Sequence, residues 1–338
     1  MRVLMMPDYR ADNPYQSLLA AALEACGARV SFPAGYRRAL PLFRAAAGGA
    51  KYDVLHLHWI APYLKGERAA ARLGYALKLL LDVALVRLAG VRVVWTIHNR
   101  REHNSKFPRV EAWARRGLAK LAGRVVVHNA SVLEGLSSDL GISPNKAEVI
   151  PHGHFRVYGS LTDPLEARRR LGLPPEGRVF LNFGMLRPYK GVERLLKLWR
   201  EHAAEFAGDT LVVAGKPVDE SYGETLSRLA VGVPGVHLNP RFVRDEDVPL
   251  YFSAADVVVL PFENILTSGS LILAMSYERP VVAPDLGGVR ETLAESCRLL
   301  YDPADERGLE DVLRLARALG PQHLRANVST DRLDWQHI

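Results

Sequence analysis

Two cationic side chains in the second half of the chain lie where a predicted strand gives way to a helix. Residues 180–196 have the pattern of a strand, a short loop and an amphipathic helix, and the loop contains Arg187 and Lys190. Gly184 ends the strand and allows a ligand to approach the backbone closely. Arginine binds phosphate bidentately, and lysine acts as a compact positive charge. The pair therefore suits a diphosphate and would neutralise the charge that develops on it as a leaving group.

Small residues open a helix further along the chain. Ser268, Gly269 and Ser270 stand directly before the apolar run 271–275. A helix N-terminus binds anions through its free backbone N–H groups and the positive end of its dipole, an effect of ~0.3–1 kcal/mol at exposed sites. We expect these three residues to contact the same diphosphate as the cationic loop.

Both features belong to a repeating pattern of strands and helices. Short runs rich in Val, Leu and Ile alternate with longer helical patterns, as is typical of parallel sheets flanked by helices. The fold class is therefore α/β, with two doubly wound sheets whose ligands are expected at the carboxyl ends of the strands and in a cleft between the domains. The predicted strands are 3–6, 29–32, 54–58, 91–96, 124–128 and 148–150 in the first sheet, and 178–183, 210–214, 236–238, 257–260, 280–283 and 298–301 in the second.

The boundary between the two domains is predicted near residue 157. Prolines and glycines mark the stretches 151–154 and 174–177, and a charged helix is expected between them at 164–171. Such Pro- and Gly-marked stretches are typical of linkers. The sequence therefore predicts an N-terminal domain of residues 1–157 and a C-terminal domain of residues 158–328.

These motifs resemble those of the family 4 glycosyltransferases, also called glycosyltransferase group 1. In that family an arginine and a lysine grip the donor diphosphate, and Arg187 and Lys190 occupy those places. The run 256–275 is similar to the family's donor loop, and the resemblance extends to Thr267 within it. It implies the GT-B fold, in which an N-terminal Rossmann-like domain binds the acceptor and a C-terminal one binds the nucleotide sugar. It also implies that residues 329–338 begin a last helix that crosses back to the N-terminal domain.

The donor loop departs from the family pattern at two positions. Members carry two glutamates eight positions apart, and Ile265 and Leu273 stand at those places. The resemblance assigns one glutamate to the ribose and the other to the transferred sugar, so the sugar and the stereochemical outcome are left open. Glu263 is the candidate to replace the first glutamate, and Phe242 and Val243 are expected beside the base.

Histidines follow the predicted strands of the first half. His98 comes at the end of the predicted strand 91–96 and resembles the family histidine that faces the donor sugar. We therefore predict that it is a catalytic residue. His58 and His103 are candidate acceptor ligands. The alternative for each of the three is a structural histidine in the core.

The loop after the first strand lacks the glycine-rich phosphate loop of many relatives. Asn13, Tyr15 and Gln16 stand there instead. Polar and aromatic groups of this kind could bind an acceptor sugar. The alternative is a plain helix cap.

The charge of the chain is concentrated in its first half. Residues 1–157 carry 23 Lys and Arg against 11 Asp and Glu, while the remainder carries 21 against 26. A basic domain attracts an anionic membrane or a phosphorylated acceptor, although a solvated surface is the alternative. Nucleic acid is not expected, because no helix-turn-helix, zinc-finger or RNP signature is present. The segment 73–88 is predicted to be a core helix or a helix at a membrane surface.

The acidic run 245–247 looks like the first turn of a helix, and no metal site is predicted there. Cys26 and Cys297 lack metal-ligand spacing and are expected to be buried thiols in a reducing compartment. A secretory signal is not expected, so the predicted location is the cytoplasm, with contact at the inner face of the membrane as one possibility.

The resulting expectation is transfer of a hexose from a nucleoside diphosphate sugar to a saccharide or lipid-linked saccharide. The resemblance implies retention of configuration without a metal or other cofactor, and it favours GDP-mannose as donor. Inversion would need a base such as Asp12, His98 or Glu102. The alternatives are an epimerase or phosphorylase of the same shape, or a protein that binds nucleotide sugar without turnover.

Overall fold

The computed structural model describes residues 1–11, 13–33, 39–48, 51–99, 106–266, 268–293, 298–320 and 333–338. The chain separates into two compact units. The first, the N-terminal unit, is Met1–Gly153 together with Arg332–Ile338, and the second, the C-terminal unit, is His154–Asp331. The predicted boundary at residue 157 lies a few residues after this division.

The N-terminal unit is built on a six-stranded parallel sheet with the order β2-β1-β3-β4-β5-β6. Each crossover between its strands passes over a face of the sheet, as parallel pairing requires. The elements are β1 (Arg2–Met6), α1 (Tyr15–Ala25), β2 (Arg29–Ser31), α2 (Pro41–Ala47), β3 (Val54–Leu57), α3 (Ala69–Leu88), β4 (Arg92–Thr96), α4 (Pro108–Leu121), β5 (Arg124–Val127), α5 (Leu133–Leu140) and β6 (Ala147–Val149).

The C-terminal unit has a second six-stranded parallel sheet, with the order β12-β11-β10-β7-β8-β9. All five residues of β7 and of β8 are buried, as expected for central strands covered on both faces. The elements are α6 (Pro164–Leu171), β7 (Val179–Phe183), α7 (Val192–Glu201), β8 (Thr210–Ala214), α8 (Glu220–Ala230), β9 (Val236–Asn239), α9 (Val248–Ala254), β10 (Val257–Val259), α10 (Gly269–Ser276), β11 (Val281–Pro284), α11 (Val289–Thr292), β12 (Arg298–Tyr301) and α12 (Gly308–Ala318).

An ion pair between a buried guanidinium and a half-buried carboxylate fixes the start of β7, the strand that leads to the cationic loop. Arg168 of α6 donates to Asp256 at 2.8 Å, and the backbone N–H of Val179 donates to the same carboxylate oxygen at 2.8 Å. Arg168 also donates to the carbonyl groups of Pro175 and Gly177. A buried guanidinium needs such a full set of acceptors, and here it joins α6, the following turn and the sheet.

The structure confirms the twelve predicted strands, each within one residue at either end, and the α/β class. The predicted helix 164–171 is α6. The acidic residues Asp245–Asp247 form a 3₁₀ turn that leads into α9, and Arg244 pairs with Glu246 and Asp247. None of the helices within the described ranges is long and apolar enough to cross a bilayer.

Two sequence predictions were wrong in the described residues. Cys26 is exposed rather than buried, because it is the C-cap residue beyond the last turn of α1; Cys297 lies outside the described residues. Residues 333–338 form turns where the start of a helix was predicted, and they belong to the N-terminal unit, to which the last helix was predicted to return. Among them, Asp334 accepts the Gln336 N–H through its side chain at 2.9 Å, a local bond that competes with helical hydrogen bonding.

Candidate phosphate site and histidine cluster

The cationic loop of the C-terminal unit is shaped by two glycines in the left-handed region. Gly184 follows β7 with φ 109°, and Gly191 precedes α7 with φ 70°. Between them Arg187 is extended and leads into the 3₁₀ turn Pro188–Lys190. The predicted loop between strand and helix is therefore confirmed, and both cationic side chains lie in it.

Lys190, Ser270 and Gly184 meet at one point in this unit. The Lys190 ammonium donates to Ser270 Oγ at 3.2 Å. A Cβ atom on Gly184 would lie 2.9 Å from Ser270 Oγ and 3.5 Å from Lys190 Nζ. Glycine thus leaves room beside the ammonium and the hydroxyl, as a ligand that approaches the backbone requires.

The electrostatics of this point favour an anion. Burial of the ammonium, followed by the positive charge of Arg187, lowers the pKa of Lys190 to about 8. The two positive charges repel each other in the free protein, and a negative charge bound between them would remove this repulsion. Because a pKa of about 8 still leaves Lys190 mainly protonated at neutral pH, its ammonium is able to pair with an anion.

The N-terminus of α10 completes this site. Ser268 is buried and its hydroxyl accepts the Leu271 N–H at 3.4 Å, so it caps the helix. Gly269 and Ser270 are the first two residues of α10, and N–H groups of a first helical turn have no acceptor within the helix. Of the three residues predicted here, Ser270 therefore meets the cationic loop directly, while Ser268 holds the helix start in place.

The donor loop is tied to the cationic loop through its backbone. The Glu263 N–H donates to the Tyr189 carbonyl at 2.9 Å, while the Glu263 side chain is exposed. A Cβ on Gly191 would lie only 2.0 Å from the Pro261 carbonyl oxygen. These contacts fix the two loops against each other, while Thr267 lies outside the described residues.

Phe242 and Val243 do not lie where Lys190, Ser270 and Gly184 meet. Phe242 is 69% exposed and lines a groove of about 810 Å³ at the carboxyl ends of β8 and β9, together with Lys216 and Val218. Val243 is half-buried beside it. A bridge between Leu186 and Pro217 connects the cationic loop with the loop that forms this groove. The groove is lined by apolar side chains and by charges of both signs, since three carboxylates and three cationic side chains face it, namely Asp219, Glu220, Glu224, Lys216, Arg228 and Arg241.

A cluster of histidine rings occupies the corresponding edge of the N-terminal unit. Tyr15, the first residue of α1, lies among them, with ring centroids 4.7–5.8 Å from four of the histidines. The rings come together because parallel strands end at one edge of the sheet. They belong to His56 within β3, His58 after β3, His98 after β4, His128 after β5 and His152 after β6.

His98 is half-buried, as is His56, and its ring is held from two sides. His58 Nδ1 lies 3.2 Å from His98 Nε2. Trp59 stacks on His98 with a centroid distance of 4.3 Å. Burial lowers the pKa of His98 and that of His58 well below the usual histidine range. A neutral His98 ring at neutral pH is able to accept a proton or a hydrogen bond.

The other residues predicted to bind the acceptor differ in what their side chains contact. Gln16 is fully buried, donates to the Pro7 carbonyl at 2.8 Å and accepts the Tyr9 N–H at 2.7 Å, so its amide holds the loop. Asn13 accepts the Tyr15 N–H at 2.9 Å, a local bond directly before α1, whose N-cap residue is Pro14. Tyr15 is buried in the cluster, and His103, like the candidate bases Asp12 and Glu102, lies outside the described residues.

Sequence reasoning missed four aromatic rings that pack in the cluster, namely those of Trp59, His128, His152 and Trp335. The His128 Nδ1–H group donates to the Ile150 carbonyl at 2.9 Å, and Trp335 packs against Tyr15 and His152. The recurrence of a histidine at the end of four consecutive predicted strands was the available signal for His128 and His152. No such signal exists for Trp335, which comes from the far end of the chain.

Comparison with known proteins connects each unit with a sequence family. Residues 177–317 match the model described as "Glycosyl transferases group 1", and residues 23–154 match "Glycosyltransferase Family 4". The two matches cover the cationic loop and donor loop in one unit and most of the histidine cluster in the other. Together they extend over most of the chain.

Individual proteins are similar over different lengths. A GDP-mannose:glycolipid 4-beta-D-mannosyltransferase of Xanthomonas campestris pv. campestris is 30% identical over 70% of this chain, and the match spans 62% of that protein's length. A D-inositol 3-phosphate glycosyltransferase of Salinispora arenicola is 27% identical over 98% of this chain and 77% of its own length.

A solved structure extends the likeness to the fold. Sucrose-phosphate synthase from Thermosynechococcus elongatus superimposes with a TM-score of 0.74 at 18% identity, over 99% of this chain and 94% of that one. At this identity the likeness concerns the fold alone. With both family models matched in order along its length, the chain belongs to the family 4 (group 1) glycosyltransferases, which have the GT-B fold.

Proposed function

We propose that the protein transfers a hexose from a nucleoside diphosphate sugar to a saccharide or a lipid-linked saccharide. The meeting of Lys190, Ser270 and Gly184 beside Arg187 carries this proposal. A departing nucleoside diphosphate gains negative charge as its bond to the sugar breaks, and preorganised cations stabilise that charge. The family membership supports the same reaction.

The same observation supports a reaction without a metal ion. Arg187 and Lys190 provide two positive charges, and the start of α10 adds the positive end of a helix dipole. These groups supply the charge neutralisation that a divalent cation would otherwise provide. We propose that no further cofactor takes part.

The stereochemical outcome has two candidates. Retention is implied by the family resemblance, with the departing phosphate assisting the incoming hydroxyl. Inversion is favoured by the apolar residues Ile265 and Leu273 in place of the family glutamates, and by the beta linkage in the name of the Xanthomonas relative, which from an α-linked donor requires inversion. His98, with its neutral ring, is then the candidate base in the N-terminal unit.

We propose GDP-mannose as the donor and a lipid-linked saccharide as the acceptor, because the name of the Xanthomonas relative contains both GDP-mannose and a glycolipid. The basic N-terminal unit supports an acceptor that carries phosphate or lies in an anionic membrane. A cytoplasmic location at the inner face of such a membrane is part of the same proposal.

The test is incubation of the protein with GDP-mannose and other nucleotide sugars, with and without an extract of lipid-linked saccharides, in the presence and absence of EDTA. We expect release of nucleoside diphosphate that depends on the acceptor and survives EDTA. Conversion of the nucleotide sugar without any acceptor would indicate an epimerase, and binding without conversion would indicate a module with no turnover. The anomeric configuration of the product, read by NMR, decides between retention and inversion.

The affinity for nucleoside diphosphate should fall as the pH rises. Lys190 has a pKa of about 8, so its positive charge is present at pH 7 and is lost as the pH passes through 8. Calorimetric titration with GDP should show about tenfold weaker binding at pH 9 than at pH 7. In Lys190→Arg the charge persists, because arginine stays protonated throughout this range, and the affinity should remain level. An equal decline in both proteins would contradict a role for Lys190 in phosphate binding.

A further inference from the structure

Helix α3 is apolar on two opposite faces. One face is buried against the N-terminal unit and includes Ala76, Leu79, Val83 and Val86. The opposite face is open to solvent, although a surface helix normally carries polar residues there. The packing of the domain therefore accounts for only half of the apolar character of α3.

The open face carries leucines along most of its length. Leu73, Leu77, Leu81 and Leu88 are 42%, 52%, 55% and 83% exposed. Their spacing of four, four and seven residues keeps them on one side of the helix. At 1.5 Å per residue the row is ~22 Å long. A continuous exposed apolar surface of this kind marks an interaction site.

Cationic residues of α3 itself flank this row. Lys78 and Arg87 flank it on opposite sides at helical spacing. The acidic residue of α3, Asp82, is buried and accepts the N–H groups of Leu42 and Phe43 at 2.9 and 2.7 Å. The Asp82 carboxylate is therefore bound inside the unit, and the charged residues of α3 beside the leucine row are the cations Lys78 and Arg87.

The neighbouring helix α4 extends the same surface chemistry. It packs closely on α3, since a Cβ on Gly117 would lie 2.7 Å from Leu80 Cδ1. The acidic residue of α4, Glu111, is buried and pairs with Arg72 of α3 at 3.6 Å. The exposed residues of α4 include an aromatic and three cationic side chains, namely Trp113, Arg109, Arg116 and Lys120.

We propose that the open face of α3, with the exposed side of α4, is the surface by which the protein docks on an anionic lipid bilayer. Leucine rows bordered by Lys and Arg, with a tryptophan beside them, are the pattern of a helix that lies in the plane of a membrane interface. A second copy of the chain fits less well, because face-to-face pairing would bring the cations of both copies together. The inference deepens the proposed function and rests on it only for the lipid-linked acceptor.

Sedimentation with vesicles tests this surface without any activity measurement. The probes are phosphatidylcholine vesicles with and without phosphatidylglycerol. The full chain should bind the anionic vesicles at least about tenfold more tightly than the neutral ones, because several cations of this surface lie near the anionic headgroups. The double variant Leu77→Gln/Leu81→Gln should lose about tenfold in binding to anionic vesicles.

Two controls keep the result interpretable. Leu165 of α6, which is 60% exposed in the other unit, provides the matched variant Leu165→Gln, whose vesicle binding should be unchanged. Arg109→Gln/Lys120→Gln should reduce binding to anionic vesicles and leave binding to neutral ones as it is. Melting temperatures report whether each variant is folded.

Three outcomes would overturn the proposal. They are equal binding of the wild type to both vesicle types, undiminished binding by the leucine variant, and a wild-type dimer that ignores vesicles and becomes a monomer in the leucine variant. The last outcome would assign the leucine row to self-association. Since GDP binding and sugar transfer to a soluble acceptor are measured separately, failure here is distinguishable from failure of the proposed function.

Discussion

Arg187→Ala and Lys190→Ala should each lower kcat/KM by about a hundred- to a thousandfold. Removal of one donor that stabilises transition-state charge has an effect of this size in other enzymes. Both side chains lie in the loop between β7 and α7, and the Lys190 ammonium is 3.2 Å from Ser270 Oγ. The effect should appear mainly in kcat, because the charge of the leaving group is greatest in the transition state. The measurement is steady-state release of nucleoside diphosphate.

Lys197 offers the matched control for these variants. It is an exposed lysine of α7, and Lys197→Ala should retain wild-type kinetics. The Lys190→Ala protein should melt at or above the wild-type temperature, because burial of the ammonium is unfavourable in the free protein. Near-normal turnover in both Arg187→Ala and Lys190→Ala would remove the phosphate site from the mechanism.

Gly191→Ala should destabilise the C-terminal unit and displace Lys190. The added Cβ would lie 2.0 Å from the Pro261 carbonyl oxygen, at a residue whose φ is 70°. The left-handed backbone costs an alanine ~1–2 kcal/mol, and the clash forces a backbone shift, so we expect a total of about 2–4 kcal/mol. Nucleoside diphosphate should also bind about tenfold more weakly, because the moved loop carries the ammonium.

Gly208→Ala separates backbone strain from crowding. Gly208 has φ 88°, but a Cβ there would meet nothing within 4 Å. We expect a loss of about 1 kcal/mol in the free energy of unfolding and unchanged nucleotide binding. Chemical denaturation and calorimetric titration measure both quantities. Equal effects of the two alanines would show that contact between the Gly191 and Pro261 loops does not position Lys190.

The strands were predictable from the sequence because each is a short apolar run closed by glycine, proline or polar residues. β7 is a clear case, since the buried run Val179–Phe183 stops at Gly184 and a helical pattern starts at Val192. The cationic loop could be predicted for the same reason, because local pattern alone places it between strand and helix. Its meeting with Ser270 requires the sheet order, in which β10 pairs with β7.

The histidine cluster could be predicted only in part. His98 and His58 follow predicted strands, but their 3.2 Å contact depends on β3 and β4 being neighbours in register. The position of Trp335 in the cluster also depends on tertiary structure, because this residue comes from the C-terminal segment. Sequence patterns report what each strand ends with and do not report which ends lie side by side.

The two faces of α3 show a second reason for incomplete prediction. The sequence of segment 73–88 favours a core helix and leaves a helix at a membrane surface as the alternative, because apolar residues occur all around it. Only the packing of α2 and α4 on α3 shows which leucines stay exposed. Gln16 shows another limit of the sequence. It was predicted to bind the acceptor, but its side chain binds the backbone of its own loop.

A crystal structure of the protein with bound GDP tests the central claim most directly. We predict that oxygens of the diphosphate lie within ~3.2 Å of the Arg187 guanidinium and the Lys190 ammonium, beside Ser270 and the first N–H groups of α10. A nucleotide whose phosphates contact neither cation and lie away from the start of α10 would contradict the account.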